Sequence, residues 1–141
     1  MVEFALGHYY LPGMTGRFWV PGVAMLFAGE VLRKVAVITA GRSFTHLIKV
    51  RRREHAGRLV TGGIYALVRH PGYLGFFVFA LGSQVMLGNP LSLCAFYYVL
   101  SRFFADRIEF EEAALVHILG EKYSRYAEGV GGGIPCVASG V

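Results

Sequence analysis

The fold depends on residues 71–101, which read PGYLGFFVFALGSQVMLGNPLSLCAFYYVLS and contain no Asp, Glu, Lys, Arg or His. This apolar run is longer than the ~20 residues that a helix needs to cross a bilayer. It also contains Gly88-Asn89-Pro90, which is a strong turn signal. The run is therefore either one kinked helix that crosses a membrane once or two helices, each roughly 22 Å long, that form a hairpin.

The charges that flank this run favour the hairpin. Arg69 precedes the run, and Arg102 and Arg107 follow it. A single crossing would place these arginines on opposite faces of the membrane. A hairpin places them on one face, together with the basic cluster of residues 42–58, as the positive-inside rule prefers. We therefore predict a helix-turn-helix hairpin.

The composition of the chain is typical of a membrane protein. Of its 141 residues, 55% are hydrophobic and 16% are charged, whereas about 25% are charged in soluble domains. A soluble domain of this size buries too little surface to hide so much apolar area. A further span is predicted from about Pro21, which suits the first turn of a helix, to about Thr39. We predict an all-α integral-membrane protein with about three to four membrane segments, in a single domain over residues 1–141.

The chain has a net charge of +5, and its basic residues are most concentrated at residues 42–58. Such a cluster is compatible with nucleic-acid binding. Next to apolar spans it more often marks the cytoplasmic face of a membrane protein, so we expect no nucleic-acid partner. The two cysteines, Cys94 and Cys136, lie far apart, and the histidines show no metal-ligand spacing. We therefore expect no metal site.

Residues 104–126, after the hairpin, are predicted to form an amphipathic helix on the cytosolic side. Its apolar stripe consists of Phe104, Ile108, Leu115 and Ile118. Glu111 interrupts this stripe where an apolar residue would be expected, and Arg107 lies one turn earlier on nearly the same face. The hairpin would bring both next to residues 69–73, and charged residues that face a protein interior near a membrane are usually functional. The remaining carboxylates of the region, which are interpreted as a solvated face, are Glu109, Glu112 and Glu121.

An ordered set of motifs from Gly29 to Pro135 resembles the isoprenylcysteine methyltransferase family. The motifs are GEVLRK at 29–34, TAG at 39–41, FTH at 44–46, LVTGGIY at 59–65, RHPGY at 69–73, QVML at 84–87, NP at 89–90, RFF at 102–104, DR at 106–107, EE at 111–112, GEKY at 120–123 and IP at 134–135. The resemblance covers about residues 18–136. The motif at 69–73 is also similar to motifs of phospholipid methyltransferases and of some membrane sterol reductases, but the ordered set is much more specific.

The resemblance implies an enzyme that transfers the methyl group of S-adenosylmethionine to the C-terminal carboxylate of a prenylated cysteine. It implies S-adenosylmethionine as cofactor. The implied partners are CAAX-type proteins that end in farnesyl- or geranylgeranyl-cysteine, together with membrane lipids. It also implies a multi-pass protein of the endoplasmic reticulum membrane whose active site faces the cytosol. Members of the family have additional N-terminal spans, so the chain is expected to be the C-terminal, catalytic part of the family architecture.

The resemblance also implies the residues of the site. Those that match the family's cofactor contacts are Lys49, Gly57, Arg58, Leu59, Val60, Tyr65, His70, Pro71, Gly72, Tyr73 and Glu111. Arg107 matches an arginine that engages the substrate carboxylate and acts in catalysis. The chemistry agrees, because an α-carboxylate with a pKa of about 3.3–3.7 is ionised at neutral pH and needs no general base. Such an enzyme has to align the carboxylate with the methyl group and to exclude water.

Several alternatives stay open at this point. The chain could be a phospholipid methyltransferase, a sterol-reductase-like membrane protein with a nicotinamide cofactor, or a non-catalytic truncated membrane subunit. Arg107 and Glu111 could form a plain i,i+4 ion pair. Tyr65 and Tyr73 could be interfacial aromatic residues, and His70 could donate a hydrogen bond to a carbonyl within a turn.

Overall fold

The computed structural model describes residues 5, 9, 14–41, 59–135 and 137. Helix α1 spans Met14–Ala40, and a short 3-10 helix spans Gly63–Ala66. Helix α2 spans Pro71–Leu87, α3 spans Pro90–Leu119 and α4 spans Glu121–Gly129. No strand occurs among the residues that the structure describes. The predicted all-α class is therefore confirmed. The basic cluster at residues 42–58 lies outside the described residues.

The predicted hairpin is confirmed, and its turn lies at Gly88-Asn89-Pro90. Gly88 ends α2 in the left-handed conformation with φ of 65°, which glycine adopts without the strain of a side chain. The backbone N–H of Asn89 then donates to the carbonyl of Gln84 over 3.1 Å. Pro90 begins α3, where its missing N–H leaves no helical bond unmade. The interpretation as a single kinked helix is therefore wrong.

Two predicted helix boundaries need correction. The second arm of the hairpin does not end near Ser101, because no glycine or proline lies between Pro90 and Gly120. The predicted helix of residues 104–126 is therefore divided between the second half of α3 and α4, and the break falls at Gly120 with φ of 56°. Pro21 also lies inside α1 rather than in its first turn. A proline there removes one backbone hydrogen bond, but the residues on both sides remain helical.

The sequence predicts about three to four membrane segments. In the ranges that the structure describes, no helix combines the length and the apolarity that a bilayer crossing requires.

Helices α1 and α2 run antiparallel and pack directly backbone against backbone through glycines. A Cβ built on Gly29 of α1 would lie only 2.6 Å from the carbonyl oxygen of Gly75 and from the amide nitrogen of Phe79. Two helical turns away, a Cβ on Gly82 would lie 2.7 Å from the Cβ of Met25. Small residues allow such close approach of two helices. This contact fixes the start of α2 against the C-terminal half of α1.

The core lies between α2, the middle of α3 and the C-terminal segment. Its buried residues are Phe77, Phe104, Ile108 and Ile134, and the half-buried residues packed against them are Tyr73, Leu81, Leu100 and Val137. Large apolar side chains elsewhere on α1 and α3 are exposed, and they include Trp19, Phe27, Tyr98 and Phe110. The core cluster therefore lies next to the start of α2, where the predicted site residues Pro71, Gly72 and Tyr73 lie.

Candidate active site

The hairpin brings the two predicted polar blocks together. Tyr73, in the first turn of α2, lies against α3, and its hydroxyl donates a 2.6 Å hydrogen bond to Oε2 of Glu111. The same hydroxyl accepts a hydrogen bond from Nε of Arg107 over 3.3 Å. Its aromatic ring packs on the buried ring of Phe104, with 5.1 Å between ring centroids. The predicted proximity of residues 69–73 to residues 106–112 is therefore confirmed.

Arg107 and Glu111 are connected through the Tyr73 hydroxyl rather than by a direct ion pair within the described part of the chain. Both side chains are partly exposed. Only Nε of Arg107 and only Oε2 of Glu111 are engaged by groups that the structure describes. The two terminal N–H₂ groups of the guanidinium and the second carboxylate oxygen thus remain available to a ligand. A guanidinium with free terminal groups matches the geometry of a carboxylate.

Tyr65 approaches this cluster from the 3-10 helix. Its hydroxyl donates to the carbonyl of Ala36 on α1 over 3.4 Å, and its own carbonyl accepts from the hydroxyl of Tyr126 on α4 over 2.5 Å. Burial first, and then the negative charge of Glu111, raise the pKa of Tyr65 above its usual value. The influence of Glu111 indicates that the phenol and the carboxylate share one region. Tyr65 is therefore held between α1 and α4 next to the Tyr73 cluster.

The other predicted cofactor contacts differ in their surroundings. Pro71 is fully buried and begins α2. Gly72 is half-buried, and a Cβ built on it would meet no described atom within 4 Å, so the first turn of α2 has open space beside it. Leu59 and Val60 are half-buried in the segment that leads to the 3-10 helix. Lys49, Gly57 and Arg58 lie outside the described residues.

His70 belongs to a second, buried polar cluster that the sequence interpretation missed. Its Nε2 lies 3.0 Å from Oε1 of Glu112, and Nη2 of Arg69 lies 3.3 Å from the same oxygen. Glu112 is only 1% exposed, so its interpretation as part of a solvated face is wrong. Adjacent residues of an α-helix point about 100° apart, which lets Glu111 face the site while Glu112 faces the interior.

The environment of Glu112 keeps its carboxylate charged. Burial raises its pKa, but the hydrogen bond from His70 and the positive charge of Arg69 outweigh burial and leave the pKa below its usual value. The side chain of Tyr123, on α4, is buried in the same region. The backbone N–H of Arg69 donates to the carbonyl of Gly131 over 2.9 Å. The cluster thus connects the start of α2, α3 and the C-terminal segment.

The chemistry of the exposed cluster is that of a binding site for charged groups. Arg107 offers hydrogen-bond donors and a positive charge, while Glu111 offers an acceptor and a negative charge. The Tyr73 hydroxyl lies between them, and no described atom lies within 4 Å of a Cβ built on Gly72. No group of His, Cys, Asp and Glu side chains within the described ranges is arranged to hold a metal ion. The site can therefore hold an anionic ligand next to a ligand that carries donors or a positive charge.

Comparison with known proteins connects this chain to one family of enzymes. Residues 22–117 match the model of the isoprenylcysteine carboxyl methyltransferase family. The chain is 48% identical over 139 residues to protein-S-isoprenylcysteine O-methyltransferase B of Arabidopsis thaliana, a match that covers 97% of this chain and 70% of that protein. It is 40% identical over 138 residues to protein-S-isoprenylcysteine O-methyltransferase of Homo sapiens, covering 96% of this chain and 48% of that protein.

A solved structure also resembles this chain along most of its length. It is a eukaryotic intramembrane Ras methyltransferase, an isoprenylcysteine carboxyl methyltransferase, with a TM-score of 0.88 and 40% sequence identity. The match covers 96% of this chain and 49% of that structure. The chain therefore spans about half the length of the human relative and of the solved structure.

Proposed function

The chain belongs to the isoprenylcysteine carboxyl methyltransferase family, and on this premise we propose that it uses S-adenosylmethionine to methylate the C-terminal carboxylate of prenylated cysteine. Its substrates are CAAX-type proteins that end in farnesyl- or geranylgeranyl-cysteine. The observation that carries the proposal is the cluster in which the Tyr73 hydroxyl joins Arg107 to Glu111. This cluster provides one cation for an anionic substrate and one carboxylate for a cofactor that carries positive charge.

Arg107 is the residue that binds the substrate carboxylate in this proposal. Its terminal N–H₂ groups are free of described partners, so they can hold both oxygens of a carboxylate. The C-terminal carboxylate is already ionised at neutral pH, since its pKa is about 3.3–3.7, and no general base is needed. Arg107 must align this carboxylate without binding it too strongly, because the carboxylate loses its charge as the ester forms.

The residues around Glu111 fit S-adenosylmethionine. When bound, this cofactor supplies a methyl group on a positively charged sulfonium. The second carboxylate oxygen of Glu111 can accept hydrogen bonds from the amino group or the ribose hydroxyls of the cofactor. The rings of Tyr65 and Tyr73 can lie against the sulfonium cation or the adenine of the cofactor. A Cβ built on Gly72 would meet no described atom within 4 Å, so we propose that the cofactor also contacts this residue. The further cofactor contacts that we propose are Lys49, Gly57, Arg58, Leu59, Val60, His70 and Pro71.

Removal of water is the second contribution of the protein. The carboxylate and the sulfonium both lose charge during transfer, so water that solvates these charges opposes the reaction. Tyr73 packs on Phe104, and the core residue Ile108 lies one turn beyond on α3, so one wall of the site is apolar. This wall limits the water beside the reacting groups.

We place the chain in the endoplasmic reticulum membrane, with its active site facing the cytosol. The exposed apolar side chains of α1 and α3 support a lipid environment, and the solved relative is described as intramembrane. A prenyl chain that stays in the lipid would contribute about 0.8 kcal/mol per buried CH₂ to substrate binding. Membrane lipids are thus partners of the chain as well as its surroundings.

Methyl transfer to a minimal substrate tests this function. The full chain in detergent or lipid discs is incubated with labelled S-adenosylmethionine and N-acetyl-farnesylcysteine, and the methyl ester is measured. Transfer to phosphatidylethanolamine instead would identify a phospholipid methyltransferase, although the terminal N–H₂ groups of Arg107, which have no partner among the described residues, favour an anionic acceptor. Displacement of S-adenosylhomocysteine by NADPH would identify a reductase-like protein. If neither cofactor binds, the remaining interpretation is that the chain is a non-catalytic membrane subunit.

A further inference from the structure

The two adjacent carboxylates of α3 have different surroundings, and we propose different roles for them. Glu111 is partly exposed and contacts Tyr73, whereas Glu112 is buried and contacts Arg69 and His70. We infer that Glu112 is a positioning residue, which holds the Arg69–His70 turn so that Tyr73 reaches Glu111. The catalytic consequence of this role rests on the proposed function, but the structural coupling does not.

The first step of the coupling is the anchoring of the turn. A single oxygen of Glu112 lies 3.0 Å from Nε2 of His70 and 3.3 Å from Nη2 of Arg69. The side chains of Arg69 and Glu112 are each 1% exposed. A buried charge that loses its partner is strongly destabilised, so neither side chain can turn away from the other at low cost. The carboxylate of Glu112 thus fixes where residues 69 and 70 lie against α3.

The second step passes from His70 to Tyr73. The carbonyl of His70 accepts hydrogen bonds from the backbone N–H groups of Tyr73 over 3.1 Å and of Leu74 over 3.0 Å. The imidazole and phenol rings are stacked, with 5.6 Å between centroids and an angle of 8° between planes. A shift of His70 therefore shifts both the backbone and the ring of Tyr73, and with them the hydroxyl that joins Arg107 to Glu111.

A role in stability alone does not account for this cluster. Buried ion pairs contribute little net stability, and well-packed apolar residues often replace them without loss. Here Nε and Nη1 of Arg69 are buried without hydrogen-bond partners among the described residues, which adds to the cost. What the cluster provides is a defined orientation of the turn, because one carboxylate oxygen of Glu112 is shared by two consecutive residues, Arg69 and His70.

Hydrogen exchange of the full chain tests the positioning role without any assay of activity. In Glu112→Gln, exchange in peptides that cover residues 69–74 should rise about tenfold more than exchange in the middle of α1 and α2. The matched control is Glu109→Gln, which alters an exposed carboxylate of the same helix and should change neither region. No change at residues 69–74, or an equal rise in all helices, would overturn the proposal.

A second variant covers the case in which Glu112→Gln does not fold. Arg69→Lys keeps the buried charge but loses the planar guanidinium, and it should produce the same local rise in exchange. A wild-type pattern in this variant would equally count against the proposal.

A double-mutant cycle then connects the positioning role to catalysis. Glu112→Gln should lower kcat/KM about 10- to 100-fold in the wild-type background, because a small displacement of a reacting group has effects of this size. In the Tyr73→Phe background the same substitution should lower it only about twofold or less, since the hydroxyl that Glu112 positions is already gone. Equal losses in both backgrounds would refute the route through Tyr73. A wild-type chain without methyl transfer would instead overturn the proposed function, and the exchange measurement would still decide the positioning role.

Discussion

The hydroxyl of Tyr73 lies 2.6 Å from the carboxylate of Glu111, although 38 positions of the chain separate them. The residues lie at the two ends of the helical hairpin that are remote from its turn. The hydrogen bond therefore requires that α2 and α3 return to the same side of the molecule. A single helix through residues 71–101 would have separated the two polar blocks and left no common site for a cofactor and a substrate.

Substitution of Tyr73 by Phe removes this connection while keeping the ring on Phe104. Hydrogen bonds to charged groups contribute about 1.5–3 kcal/mol, so kcat/KM for N-acetyl-farnesylcysteine should fall about 10- to 100-fold. The methyl-ester assay measures this loss. Tyr98→Phe, at an exposed position of α3, serves as control and should retain wild-type activity. A Tyr73→Phe variant as active as wild type would show that the hydroxyl has no role in alignment.

Substitution of Arg107 by Lys keeps the positive charge but loses the planar pair of donors. A lysine cannot hold a carboxylate bidentately, so KM for the prenylcysteine substrate should rise about tenfold. Steady-state kinetics at varied substrate concentration measure the change. Arg102→Lys makes the same exchange at an exposed position of the same helix and should leave KM unchanged. An unchanged KM in Arg107→Lys would indicate that another residue binds the substrate carboxylate.

Glu111→Gln tests the cofactor side of the site. The amide is nearly isosteric with the carboxylate but has no charge, so binding of S-adenosylhomocysteine should weaken about 10- to 100-fold. Calorimetry on the purified chain measures the dissociation constant. Glu109→Gln provides the matched carboxylate on the exposed side of α3. Equal affinities of the two variants would remove Glu111 from the proposed cofactor contacts.

The parts of the site that could be predicted from sequence depend on short-range geometry. The turn at Gly88-Asn89-Pro90 was readable because proline and glycine restrict the backbone directly. Arg107 and Glu111 are one helical turn apart, so their common side followed from the helical period. Once the hairpin was drawn, Tyr73 had to lie near them. The motifs of the family then supplied the roles that geometry alone does not give.

The apolar stripe predicted for α3 has the wrong spacing and therefore does not include Glu112. Phe104, Ile108 and Glu112 follow one another at intervals of four and are the three most buried positions of this helix, at 3%, 1% and 1% exposure. The stripe drawn through Leu115 and Ile118 placed Glu111 on the inner face instead. A charged residue in a buried stripe requires a partner, and sequence alone does not say that Arg69 lies there.

The contact between α1 and α2 was also not predicted. Each helix carries two glycines that are two helical turns apart and therefore lie on one face, Gly22 and Gly29 on α1 and Gly75 and Gly82 on α2. Such small residues allow a second helix to approach closely. A row of glycines shows that a neighbour comes close, but it carries no side chain that would identify the neighbour. The sequence therefore does not predict that the glycines of α1 pack against those of α2, and only the structure shows this contact.

This glycine contact predicts a clear difference between two Gly→Ala substitutions in α1. The new methyl of Gly29→Ala would lie 2.6 Å from backbone atoms of α2, so the helices must separate, and unfolding should require about 1–3 kcal/mol less free energy. Gly16→Ala places its methyl where no described atom lies within 4 Å. It should be neutral or stabilising by up to about 1 kcal/mol. Chemical denaturation in detergent compares the two, and a Gly29→Ala variant as stable as Gly16→Ala would contradict the direct backbone contact.

The ion pair of Glu112 predicts how stability depends on pH. Its pKa in the folded protein is held below the ordinary value of 4.5, because the hydrogen bond from His70 and the charge of Arg69 outweigh the opposing effect of burial. A carboxyl group whose pKa is lowered on folding stabilises the fold fully above its unfolded pKa, and this contribution is lost as the pH falls through the folded pKa.

The melting temperature of the wild type should therefore decline as the pH falls below 4.5. The informative quantity is the difference between wild type and Glu112→Gln, because contributions of the other ionisable groups are common to both proteins. The variant should be less stable at neutral pH, and the gap between the two curves should narrow below 4.5 as the wild-type carboxylate takes up its proton. Curves that stay parallel over this range would mean that the buried carboxylate is not charged in the folded protein, and the anchoring of His70 would then have to come from a neutral hydrogen bond.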